Sequence, residues 1–117
     1  MSDSLTVFFA VAAAGTVSSV AVIPSGYRLI GLEIPAVDSA TLTLDLSTDG
    51  TTYRATAGSD GTANGAIGGA ANTGNKFVAV PDALSRMTEG RHVRATMGAA
   101  QNSGAVTIKG LCVRSTA

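Results

Sequence analysis

The chain has 117 residues, eight basic and eight acidic, so its formal charge is zero and only 14% of its residues are charged. That balance argues against a basic nucleic-acid surface, the single cysteine excludes an internal disulfide, and the length suits one hydrophobic core rather than two. Apolar residues make up 45%, but with five Phe and Tyr in all and no Trp the core has to be a thin layer of small aliphatic and β-branched side chains.

In chain order, the first element is an apolar strand over 5–12. Leu5, Val7, Phe9 and Val11 alternate with Phe8, Ala10 and Ala12, so both faces are apolar. Such a strand belongs at the centre of a sheet or under a cover, not at a wet edge. Asp3 precedes the run and no Lys or Arg does, so it reads as a strand rather than a secretory signal or a membrane span. Further strands are predicted over 17–23, 27–34, 40–47, 51–55, 76–80, 91–97 and 104–114, each bounded by turn formers such as Pro24-Ser25-Gly26 and Asp49-Gly50. The clearest is the segment from Ala40 to Arg54. There Leu42, Leu44 and Leu46 face one way and Thr41, Thr43, Asp45 and Ser47 the other, and Asp49-Gly50 then reverses the chain into Thr51-Thr52-Tyr53. The only helical candidate runs from Asp82 to Gly90, opened by Pro81, and is short enough to cross one end of a sandwich.

About eight short strands with hardly a helical period predict an all-β fold, an antiparallel β-sandwich of jelly-roll-like type, in a single domain spanning 1–117. Leu42, Leu44, Leu46, Val93, Val106 and Ile108 are expected inside it. Cys112, in phase with Ile108 and Gly110, is expected there too as a small buried residue. Between 55 and 75 the alternation stops, and six Gly and six Ala appear in 21 residues. Structureless loops beyond about 12–15 residues tend to be functional. We expect this one to be a docking arm, touching a neighbour through Asp60, Asn64, Ile67 and Asn72. Leu5, Val7 and Phe8 of the two-faced first strand, with Arg91, His92 and Arg94, are the other expected interaction residues.

Charge is divided unevenly along the chain. Residues 1–60 carry six acids and two bases, residues 61–117 six bases and two acids. Either the halves neutralise one another across shared sheets, the reading preferred here, or opposite poles meet between copies. Catalytic chemistry is nearly absent. The one histidine, His92, shares a face with Arg94 and Thr96 and has no partner identifiable in sequence, and no HExxH, CxxC, Walker or GxSxG pattern occurs. Asp49-Gly50 and Ser59-Asp60-Gly61 lack the spaced carboxylates of a calcium loop and read as turns. No catalytic residue, cofactor or metal site is therefore expected, and the chain is read as not an enzyme.

The hairpin Ser47-Thr48-Asp49-Gly50-Thr51-Thr52-Tyr53, followed by a small-residue loop, by Lys76-Phe77-Val78-Ala79-Val80-Pro81 and by Arg91-His92-Val93-Arg94-Ala95, resembles two groups of proteins. One is the discoidin-like jelly-roll modules; the other is the small virion proteins of tailed bacteriophages, namely capsid decoration or cement proteins and head-spike or fibre-base proteins. The resemblance covers roughly residues 27–114 and marks a hairpin rather than an activity. Where discoidin modules offer Trp and paired arginines for sugar, this chain has Tyr53 and His92, which puts the phage group ahead. That resemblance implies a homo-oligomer, a trimer, bound to the major capsid protein on the capsid surface of a virion assembled in the host cytoplasm, with no nucleic-acid or membrane partner. The alternative it implies is a carbohydrate-binding jelly-roll module of a receptor-binding fibre.

Overall fold

The computed structural model describes residues 3–38, 41–56 and 73–115. Among them are eight strands and one short helix: β1 (Ser4–Val11), β2 (Ala21–Val22), β3 (Tyr27–Ile34), β4 (Leu42–Ser47), β5 (Arg54–Ala55), β6 (Lys76–Ala79), α1 (Asp82–Met87), β7 (His92–Met97) and β8 (Val106–Arg114). They build two four-stranded sheets, in the orders β1–β8–β3–β6 and β2–β7–β4–β5. Pairing is antiparallel throughout, β1 with β8, β2 with β7, β3 with β6 and β4 with β5. The chain thus behaves as one long hairpin folded over into two layers, which is the jelly-roll-like β-sandwich expected.

Alternation decides what fills the space between the layers. Leu42 and Leu44 of β4 are buried while Thr43 and Asp45 are not, and Val93, Ile108 and Cys112 join them inside. Leu46 and Val106 lie half-buried at the ends of their strands, packed against the rim of the same core. A one-residue slip of β4 would turn Leu42 and Leu44 outward and Thr43 and Asp45 inward, so burial holds the register. Burial also pushes the Cys112 thiol up to about 11, which leaves it uncharged apolar filling.

Three expectations need correcting. Of the two places expected for β1, the centre of the sheet is excluded: it is an edge strand, with Leu5, Val7, Phe9 and Val11 turned to the core and Phe8 outward, 54% exposed. Two apolar faces report what lies above and below a strand and say nothing about its place within the sheet. The 17–23 segment is a strand only at Ala21–Val22. Just before it the chain crosses between sheets, Ser18 bridging to Val11 and Val17 to Thr96, so neither ladder can lengthen there. Finally, residues 51–53 belong to a loop, and β5 begins only at Arg54.

The helix completes a sheet edge. β6 pairs only with the Gly31–Ile34 end of β3. Beyond it the Val80 N–H donates to the Ile30 carbonyl, and the Leu29 N–H donates to Thr88 Oγ1 (2.9 Å) just past α1. Strands from the two oppositely charged halves interleave in both sheets, and the ion pairs Arg28–Asp82, Arg94–Asp45 and Arg114–Asp3 join one half to the other. Two of them, Arg94–Asp45 and Arg114–Asp3, neutralise part of the charge asymmetry within the chain. No helix among the described residues is long and apolar enough to cross a membrane.

Candidate interaction surface

The outer face of the β2–β7–β4–β5 sheet carries the polar residues. Register places Asp45 opposite Arg94, Thr43 opposite Thr96 and Ser47 opposite His92. Asp45 Oδ2 accepts from Arg94 Nε (3.3 Å) and from Thr96 Oγ1 (2.8 Å), and the Arg94 guanidinium lies 4.5 Å from the centre of the Tyr53 ring. A cation stacked on that ring and paired to a carboxylate is held in one orientation. The arrangement pairs Asp45 with a cation and covers a face of Tyr53.

The loop between β4 and β5 is tied by its own side chains. Asp49 Oδ1 accepts from the Thr51 and Thr52 N–H groups (2.8 and 2.9 Å) and from Ser47 Oγ (2.9 Å), while Ser47 Oγ accepts from the Gly50 N–H (2.9 Å). Gly50 takes a positive φ of 79°, and a Cβ there would lie 3.0 Å from the His92 ring, so the turn closes over the histidine only because this residue has no side chain. His92 is thereby packed against a turn and only partly exposed.

The donors from Thr52, Thr51 and Ser47, in that order of effect, lower the Asp49 carboxyl from 3.8 to about 2. Because the folded-state value is depressed, the stability it contributes is complete above the unfolded value and is lost as pH falls from 3.8 to about 2. Wild type and Asp49→Ala should therefore differ in Tm above about pH 5 and converge as the pH approaches about 2. Thermal melts stepped through that range measure it, and a pH-independent gap would contradict the assignment.

Of the expected interaction residues, Arg94 and His92 share this face, and exposed Arg91 lines a hollow of about 160 Å³ with Leu46, Ser47, Thr48, Thr52 and Arg54. That volume is small beside the roughly 300–1,000 Å³ of small-molecule sites. Phe8 lies apart, on the outer face of the other sheet. Leu5 and Val7 are turned to the core and present no such surface. Asp60, Asn64, Ile67 and Asn72, with the arm expected of them, fall outside the described residues. Among the described residues no three His, Cys, Asp or Glu come together to hold a metal.

With the fold and these faces in view, the chain can be set beside known proteins. No family model matches it, and no curated protein does either. Two solved structures share its fold over nearly its whole length. One is the SPBc2 prophage-derived protein YomS, with a TM-score of 0.57 at 16% identity, covering 97% of this chain and 96% of that one. The other is a chain of the capsid of Ralstonia phage GP4, with a TM-score of 0.53 at 15% identity, covering 98% of this chain and 86% of that one. At these identities the likeness is one of fold.

Sequence reasoning missed the Asp45–Arg94–Thr96 network, because its members are 49 and 51 residues apart and meet only through the β4–β7 register. The alternation of β4 had already placed Asp45 on the wet face. It also missed Phe77, which is 70% exposed on β6. The phase of Val78 and Val80, turned inward, was the available signal.

Proposed function

We propose that this chain is a non-enzymatic virion structural protein that decorates or cements a phage capsid, through contacts between its own copies and with the major capsid protein. The observation that carries the reading is the likeness of almost the entire chain to a chain of a phage capsid, alongside a prophage-derived protein of the same fold. The surface fits such a role. Among the described residues its charges are sparse and partly paired, Asp45 with Arg94 and Thr96 and Ser47 with Asp49 hold one another, and large apolar side chains stand in solvent at Phe8, Val22 and Phe77. Exposed apolar side chains set among polar ones mark contact surfaces rather than reaction centres.

Carbohydrate binding by a fibre module is the weaker reading. On the polar face Arg94 already lies over Tyr53, and the exposed rings of Phe8 and Phe77 stand apart on the two edge strands of the other sheet, where they form no aromatic pair for one sugar. The test is co-sedimentation of the purified protein with expanded capsids that lack it, beside a glycan-binding screen. Saturable binding to capsids is expected; a folded protein that ignores capsids and binds glycans would replace this reading with the other.

A further inference from the structure

The outer face of the β1–β8–β3–β6 sheet contains a row that runs through all four strands. Phe8 pairs in register with Lys109, Lys109 with Glu33, and Glu33 with Phe77. Residues opposed in an antiparallel pair share a face, so the four side chains stand side by side in the order aromatic, cation, anion, aromatic. Both phenylalanines are more than half exposed, at 54% and 70%. They occupy the two edge strands, where an exposed large apolar side chain invites association.

We propose that this face is a two-fold interface between copies of this chain. The order of the row selects the partner. Turned about an axis parallel to the strands and midway between β8 and β3, the row meets itself with Phe8 on Phe77 and Lys109 on Glu33. Turned about the perpendicular in-plane axis, it would set Lys109 on Lys109 and Glu33 on Glu33, which like charges oppose. In the neighbouring row Leu111 pairs with Gly31 and leans over it within its own chain, its Cδ1 3.9 Å from where a Gly31 Cβ would stand, so near the favoured axis the two Leu111 side chains meet each other. Sheets packed face to face keep their strands within about 30° of one another, which lets both rows stay in contact near the axis.

Four strands about 4.8 Å apart and eight residues at about 3.3 Å give a face of roughly 500 Å² per copy, near the lower limit for a specific interface. The dimer is accordingly expected to dissociate in the micromolar range, about 1–100 μM. An isologous contact closes at two copies, so this face makes a dimer where the sequence resemblance implied a trimer. The inference gives a surface to the self-association on which the virion reading draws. Its test needs no capsid, so either can fail without the other.

Sedimentation velocity across a concentration series, with a thermal melt of each variant, decides it. Wild type should dimerise. Glu33→Lys and Lys109→Glu should each weaken dimerisation by about 100-fold or more, because each sets like charges across the axis. The doubly exchanged variant, E33K with K109E, restores a self-complementary row and should recover the dimer. A monomeric wild type, a trimer, single variants that still dimerise, or a double variant that stays monomeric while folded would each overturn the proposal. An interface with some other partner, such as the capsid, is the reading favoured if capsids bind the monomer and Phe77→Ser abolishes that binding.

Discussion

Phe9→Ala is expected to destabilise the sandwich by about 3–5 kcal/mol, a large share of the roughly 6–18 kcal/mol available to a domain of this length. Phe9 is fully buried, and it is the only aromatic side chain in the buried core. Its ring lies over Gly110 in the middle of β8, a central strand where glycine costs backbone entropy and leaves no side chain to pack. The glycine is there because the space is taken. A Cβ at Gly110 would come within 2.7 Å of Val7, 2.8 Å of Leu29 and 2.9 Å of Phe9. Gly110→Ala alone should therefore cost about 1–3 kcal/mol by overpacking. Combined with Phe9→Leu, which vacates part of the same volume, its cost should shrink, giving a coupling of about 0.5–3 kcal/mol. Urea denaturation midpoints of the two single variants and the pair measure this. Strict additivity would mean that the ring and the glycine do not share space.

Gly110 and Phe9 also mark the limit of what could be read in advance. The alternation of Leu42, Leu44 and Leu46 announces a strand and its buried side, since a period of two is local information. The same holds for Ile108 and Cys112, and for the reversal at Asp49-Gly50, whose side-chain acceptor and left-handed glycine belong to one short segment. What pairs with what is not local. β1 meets β8 across about a hundred residues, and nothing in an apolar strand distinguishes the edge from the centre of a sheet. The polar cluster at Asp45, Tyr53 and Arg94, and the row from Phe8 to Phe77, both arise from such pairings. All but Tyr53, which lies in the loop before β5, were legible singly, as outward positions in alternating strands. Their assembly into a face became visible only with the register.

The second large effect is expected at Thr88, which stands in for a strand. On the side of β3 away from β8, β6 supplies partners only as far as Gly31, and the ladder then ends. The Leu29 N–H beyond that point is buried. It donates to Thr88 Oγ1, and the hydroxyl passes its own hydrogen to the Ser85 carbonyl at 2.6 Å. Thr88→Val keeps the shape and removes the acceptor, leaving a buried N–H without a partner at a cost of about 1–3 kcal/mol. Thr88→Ser keeps the hydroxyl and should cost less. Ser85, one turn earlier, is the internal contrast. Its hydroxyl is equally buried but has no hydrogen-bond partner among the described residues, so Ser85→Ala should be neutral or stabilising. Thermal melts order the three variants, and amide exchange locates the cause: the Leu29 amide should lose protection in Thr88→Val and keep it in Ser85→Ala. Equal protection in both would mean that α1 is held to β3 by the packing of Leu84 and the Arg28–Asp82 ion pair, without the Thr88 hydrogen bond.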